Sequence, residues 1–202
     1  FSGLLSHDAV TLQAEFGAGT PMSRMGLALK EVGQGLTNMA DIDYQTLAGA
    51  ISTSTHGTGK NFQSYSAHVC GMQLVTANGE VLDCDPEHNA DLFHAACTSV
   101  GALGIVTQIT LQNRTAYNLR ERIFSAPLTE IYQNMDKWRD ENRHFEFWAF
   151  YEADQALVKI LNETDDPATP PAKFSLPEDE AVWAACEIAL ASPSFAGAAA
   201  TV

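Results

Sequence analysis

The run Thr46–Asn61, TLAGAISTSTHGTGKN, concentrates small and hydroxyl-bearing residues. Small side chains let a backbone approach a ligand closely. Gly57 and Gly59 can take φ > 0, which turns successive N–H groups toward one point. Such a nest holds a pyrophosphate without a cluster of cationic side chains. The hydroxyls of Ser52, Ser54, Thr55 and Thr58 add donors, Lys60 adds one positive charge, and Asn61 closes the run. His56 reads either as a hydrogen-bonded structural histidine or as an acid or base. On composition alone the run also fits a tight surface loop with no ligand. Against that stands the entropy lost in ordering so many small residues, which a bound ligand would offset.

Other motifs narrow the chemistry. Gly17-Ala18-Gly19-Thr20-Pro21-Met22 nearly matches the dinucleotide fingerprint G-x-G-x-x-G, but Met22 stands where the third glycine is needed. It reads as a plain strand-to-helix turn. There is no Walker loop, no G-x-S-x-G, and no histidine pair with zinc spacing. Cys70, Cys84, Cys97 and Cys186 stand far apart without a CxxC pair. Cys70 and Cys97 are expected to be small buried hydrophobes, and a reduced, cytoplasmic setting fits best. Asn113-Arg114-Thr115 and Asn162-Glu163-Thr164 match the glycosylation sequon without further support.

A net charge of −14, from 11 basic and 25 acidic side chains, repels phosphate backbones and anionic lipid. Nucleic acid is therefore not an expected partner. No apolar run approaches the roughly 18 residues of a membrane-spanning helix. With 46% apolar residues in 202, the chain can build a sizeable core.

The elements that must position the run follow from periodicity. Ala9–Phe16 alternates as a strand, and Thr20 is expected to cap a helix that begins at Pro21, buries Met22, Met25 and Leu29, and stops at Gly33. Residues 40–68 show no clear period. Val69–Thr76 and Glu80–Cys84 are expected to form a hairpin around Ala77-Asn78-Gly79. A short helix follows over Asn89–Ser99, then a strand over Ile105–Leu111. Leu128, Ile131, Met135 and Trp138 mark one helix face. Glu146–Tyr151 and Ala156–Leu161 read as antiparallel strands, Asp165–Pro177 as extended chain, and Glu178–Leu190 as helix. The change of texture places a domain boundary near residues 113–120, dividing the chain into 1–115 and 116–202.

Three motifs in order then carry a resemblance: Gly49-Ala50-Ile51-Ser52-Thr53-Ser54-Thr55-His56-Gly57-Thr58-Gly59, Leu74-Val75-Thr76-Ala77-Asn78-Gly79-Glu80-Val81, and Gly101-Ala102-Leu103-Gly104-Ile105-Val106-Thr107. The chain resembles the sugar-1,4-lactone oxidases (arabinonolactone, gulonolactone and alditol oxidases) of the vanillyl-alcohol-oxidase class of flavoproteins. The weaker likeness continues through Phe145–Phe150, which looks like the first strand of that family's substrate domain.

The resemblance implies an α+β fold: the second half of a PCMH-type FAD-binding domain, then the start of an α+β substrate, or cap, domain. It implies FAD as cofactor, with Thr46 and Ile51 on the flavin side. Ser54 and Thr58-Gly59-Lys60-Asn61 would meet the phosphates and ribityl chain, with Ser52, His56 and Gly57 in the same loop. The backbone of Ile105 would meet the adenine, a placement that only the family suggests. The implied reaction is oxidation of a sugar-1,4-lactone or alditol C–OH by hydride transfer to the flavin, with oxygen or another acceptor taking the electrons.

The chain is expected to be an internal piece of a longer protein, inactive by itself. The family's first flavin loop is expected upstream of Phe1, and its main substrate-binding residues beyond Val202, so no catalytic residue is assigned here. Peripheral membrane association of the whole protein stays open. The competing readings are a non-catalytic flavin-binding module and an inactive truncated remnant.

Overall fold

The computed structural model describes residues 1–150 and 153–169. The helix expected over Glu178–Leu190, and the extended chain after residue 169, lie outside the described residues. The chain divides into two compact units after Ala116.

In the first unit, five strands form one antiparallel sheet in the order β1–β2–β6–β4–β5. These are β1 (Leu4–Asp8), β2 (Gln13–Gly17), β4 (Val69–Val75), β5 (Val81–Cys84) and β6 (Ile105–Gln112). A two-stranded ladder joins β3 (Gln34–Gly35) to β7 (Arg114–Thr115). Helices α1 (Met22–Glu31), α2 (Leu47–Ser52) and α3 (Ala90–Ala96) share a core with Ala14, Phe16, Met72, Ile109 and Leu111. Alternation along β2 and β6 sends Ala14, Phe16, Ile109 and Leu111 inward, while Gln13, Glu15, Gln108 and Thr110 line a surface depression.

Helix α1 buries Met22, Met25 and Leu29, which fall at i, i+3 and i+7. Truncating Leu29 to alanine would cost about 2–5 kcal/mol. Gly33 ends the helix at φ +74° and donates its N–H to the Lys30 carbonyl (3.1 Å). The hairpin of β4 and β5 turns on Gly79, at φ +83°, with Thr76 N–H donating to the Glu80 carbonyl (2.9 Å).

Two expectations need correction. The strand expected over Ala9–Phe16 is shorter: residues 9–12 form the turn between β1 and β2, and β2 begins at Gln13. Asp8 accepts from the N–H groups of Val10 (2.7 Å) and Thr11 (3.1 Å), and Leu12 takes φ +58°. This side-chain turn breaks the strand and leaves Val10 91% exposed. Thr20 also does not cap α1, whose cap position is Pro21 with no side-chain bond. Thr20 is buried, donating to the Gly17 carbonyl (2.6 Å) and accepting from Gly3 N–H (2.8 Å).

Among the described cysteines Cys84 is buried, whereas Cys70 and Cys97, expected to be buried, are only half-buried. Burial raises the pKa of all three thiols. Asn113, of the first sequon, is buried and donates to Gln34 Oε1 (3.0 Å), while Gln34 Nε2 donates to the Asp8 carbonyl (2.9 Å).

The second unit, described from Tyr117 to residue 169, is a three-stranded antiparallel sheet ordered β8–β10–β9. Its strands are β8 (Asn118–Pro127), β9 (His144–Ala149) and β10 (Gln155–Thr164). Helix α4 (Leu128–Glu141) packs on it through Leu128, Ile131 and Trp138, against Ala126, Ala156, Val158 and Ile160. Phe124, Trp138 and Phe145 meet edge to face.

Candidate functional site

Helix α2 opens the run that the sequence singled out. Thr46 caps it, accepting at Oγ1 from Gly49 N–H (3.4 Å). Leu47, Ala50 and Ile51 face the core. The preceding residues are tied to α1 by Met22 N–H on the Gln45 carbonyl (2.9 Å) and Ser23 N–H on the Asp43 carbonyl (3.0 Å). Leu47 N–H reaches the Thr20 carbonyl (2.9 Å) and Ala48 N–H the Ala18 carbonyl (2.9 Å). The turn Gly17–Thr20 therefore lies beside the start of α2, a neighbourhood that its near-match to a nucleotide fingerprint did not reveal. Its glycines serve packing: a Cβ at Gly17 would stand 2.5 Å from the Phe1 carbonyl carbon.

Beyond α2 the chain turns twice through left-handed conformations, at Ser54 (φ +58°) and Gly59 (φ +99°). Gly57 corrects one expectation, because it is not among the positive-φ residues. Its smallness is needed elsewhere: a Cβ there would meet the Met39 carbonyl oxygen at 2.1 Å and Asn38 Oδ1 at 2.6 Å. Asn38 Nδ2 donates to the Thr58 carbonyl (3.2 Å), so segment 38–39 and the loop brace each other. Tyr65 N–H donates to the Thr55 carbonyl (3.0 Å), and the Tyr65 hydroxyl accepts from Ala40 N–H (2.6 Å). Burial raises the Tyr65 pKa, keeping the phenol neutral.

The remaining residues of the run fall as follows. Thr46, Ser54, His56, Lys60 and Asn61 are exposed, and Ser52, Gly57, Thr58 and Gly59 are half-buried. Ile51 is 3% exposed, so only its backbone is available to a ligand. His56 is turned back on its own loop, with Nδ1 2.9 Å from the Gly57 carbonyl, a contact that favours a structural role. Among the described residues, the backbone N–H groups of His56, Gly57, Gly59 and Asn61 meet no acceptor. Val100 N–H donates to the Ser52 carbonyl (3.2 Å), which brings the Val100–Gly104 loop, and hence the start of β6 at Ile105, toward the end of α2. Gly104 takes φ +145°, and a Cβ there would lie 2.5 Å from the Val75 carbonyl. Asn38, Met39 and Val100 are contributors that the sequence did not flag, since nothing local marks a residue whose partner lies tens of positions away.

Open amides, small side chains and two left-handed turns suit a diphosphate-bearing group, whose charge the amide dipoles offset with little help from cations. Residues 1–85 match the FAD binding domain family. The fold is shared with cholesterol oxidase from B. sterolicum, at a TM-score of 0.76 and 17% identity over 98% of this chain and 43% of that one. It is shared also with 6-hydroxy-D-nicotine oxidase from Arthrobacter nicotinovorans, at a TM-score of 0.67 and 15% identity over 80% and 38%. The family match and the shared fold thus define a PCMH-type FAD-binding domain.

Residues 109–189 match the D-arabinono-1,4-lactone oxidase family. An L-gulono-1,4-lactone dehydrogenase of Mycobacterium tuberculosis is 38% identical over 152 residues, 75% of this chain and 35% of that protein. The putative D-arabinono-1,4-lactone oxidase of Neurospora crassa is 33% identical over 169 residues, 82% of this chain and 30% of that protein. In both halves the chain is similar to the sugar-1,4-lactone oxidase group of FAD-linked oxidoreductases. It spans about a third of the length of these curated relatives. No helix among the described residues is long and apolar enough to cross a membrane.

Proposed function

We propose that the full-length protein is an FAD-dependent enzyme that oxidises a sugar-1,4-lactone or alditol, of the D-arabinono-1,4-lactone oxidase type. The observation that carries this reading is the succession, on one chain, of an FAD binding domain match over residues 1–85 and a lactone oxidase match over 109–189. In this reading residues 1–115 belong to the cofactor domain and 116–202 open the substrate domain. The break between compact units after Ala116 supports that division.

Bound FAD would supply the two-electron acceptor for the C–H bond being oxidised. This chain's part is binding and orientation. The amides of His56, Gly57, Gly59 and Asn61, with the hydroxyls of Ser52, Ser54 and Thr58, would hold the pyrophosphate and the adjoining chain. Lys60 would add charge from the exposed side of the loop. Thr46 and the Ile51 backbone would lie toward the flavin, and the Ile105 backbone toward the adenine. The proposed setting is cytoplasmic, which the unpaired Cys70, Cys84 and Cys97 support.

The test is steady-state turnover by the purified full-length protein on D-arabinono-, L-gulono- and L-galactono-1,4-lactone and on xylitol, with oxygen or a dye as acceptor. Turnover of one of these supports the reading, and its acceptor preference separates oxidase from dehydrogenase. A flavin-loaded protein that turns over none of them would be a non-catalytic flavin module.

A further inference from the structure

The phosphate-suited loop leaves part of its cofactor without a surface. A flat tricyclic ring needs apolar or aromatic cover. The large apolar residues of the run 46–61 are Leu47 and Ile51, which are 0% and 3% exposed and committed to the core. The rest of the run is glycine, alanine, hydroxyls, His56, Lys60 and Asn61.

Segment 38–46 borders this loop and is held at both ends. At one end Asn38 Nδ2 donates to the Thr58 carbonyl (3.2 Å), Met39 N–H to Asn38 Oδ1 (2.9 Å), and Ala40 N–H to the Tyr65 hydroxyl (2.6 Å). At the other, the Asp43 and Gln45 carbonyls accept from Ser23 and Met22 at 3.0 and 2.9 Å, and Pro21 and Thr46 form a bridge. Along this fixed backbone Met39, Ile42 and Tyr44 are 39%, 61% and 72% exposed. Exposed apolar residues scattered singly need no explanation, but three within six positions of a pinned strap concentrate apolar surface beside the loop.

Resting on the FAD reading, we infer that Met39, Ile42 and Tyr44 form the apolar edge against which the isoalloxazine ring packs. The strap starts beside Gly57 and Thr58 and ends at Thr46, the cap of α2. The ring then lies at the Tyr44–Thr46 end, and the diphosphate runs along the loop from there. Tyr44 supplies a π-face, and Ile42 and Met39 supply adaptable aliphatic and thioether surface.

The experiment uses the flavin-loaded full-length protein and the variants Tyr44→Phe, Tyr44→Ala, Tyr44→Trp and Ile42→Asp, with far-UV circular dichroism confirming the fold of each. A phenol touching a flavin quenches its fluorescence by reversible electron donation to the excited ring. At equal flavin content, Tyr44→Phe and Tyr44→Ala should raise the fluorescence yield and lifetime of bound flavin several-fold, and Tyr44→Trp should lower them. Ile42→Asp should weaken FAD binding about tenfold, since a carboxylate facing the ring must lose its water. Unchanged yield and lifetime across the Tyr44 series, with unchanged FAD affinity in Ile42→Asp, would overturn the inference while leaving FAD binding by the loop intact. A wild-type protein that neither contains nor takes up flavin would instead remove the cofactor reading, and this inference with it.

Discussion

Gly57 presses against Met39: a Cβ at Gly57 would lie 2.1 Å from the Met39 carbonyl oxygen. The contact fixes where the loop stands relative to strap 38–46. Gly57→Ala must push the two apart, and the expected cost is on the order of 1–3 kcal/mol, as for overpacking elsewhere. Thermal unfolding of the full-length protein should show the loss, with FAD retention falling alongside. Lost retention at unchanged stability would mean that the added methyl meets the ligand and not the strap.

Ser54 separates conformation from chemistry. It holds φ +58°, where glycine pays no steric penalty. Ser54→Gly should therefore leave the melting temperature nearly unchanged. Removing a hydroxyl donor to a charged phosphate should weaken FAD by about ten- to a hundredfold, the equivalent of a charge-assisted hydrogen bond. FAD titration of the apoprotein checks this, and an unchanged dissociation constant would take Ser54 out of the binding set.

Much of this architecture could be read before any coordinates, and the failures have physical causes. Helix α1, the β4–β5 hairpin, β6, α4 and the β9–β10 pair each bury one face, so each shows its period. Strand β8 does not: residues 119–123, Leu-Arg-Glu-Arg-Ile, are all exposed and show no alternation. Its strand state comes from pairing along its whole length with β10, a non-local cause. Strand β1 is an exposed edge, fixed by the Asp8 side-chain turn. Helix α2 has only six residues, too few for a period. For the site, composition marked a small, hydroxyl-rich loop, but it could not show that Gly57 serves packing or that Ile51 is buried.

Lys159 tests the second unit. Its side chain is 6% exposed, with Nζ 3.7 Å from Glu146 Oε1, 3.8 Å from Glu121 Oε2 and 5.6 Å from the centre of the Trp148 ring. Lys159→Met removes the ammonium beside Glu146, itself only 16% exposed. The expected loss is about 1–3 kcal/mol, below the range for fully buried pairs because Glu121 is half in water. Adding Glu146→Gln should recover part of it in a denaturant titration, and no recovery would show that the lysine acts mainly through its packing.

His88 and Asp85 give a pH signature confined to one turn. Asp85 carboxylate oxygens lie 3.0 and 3.1 Å from His88 Nδ1, and this hydrogen bond raises the His88 pKa above its ordinary 6.5. The same bond, with the N–H groups of Glu87 and His88, lowers that of Asp85 below 3.8. The histidine's contribution is complete below 6.5 and fades as pH rises through its raised value; the aspartate's is present above 3.8 and fades as pH falls through its lowered one. An NMR titration should find His88 above the ordinary value, and Asp85→Asn should return it there. An unshifted wild-type His88 would contradict the contact.

The most direct measurement is anaerobic reduction of the full-length protein's bound flavin by candidate substrates, followed by the visible flavin band. The account predicts a yellow protein whose band bleaches on addition of D-arabinono-, L-gulono- or L-galactono-1,4-lactone, or an alditol, and returns on exposure to an acceptor. A yellow protein that none of these reduces, or one that binds no flavin, would contradict it.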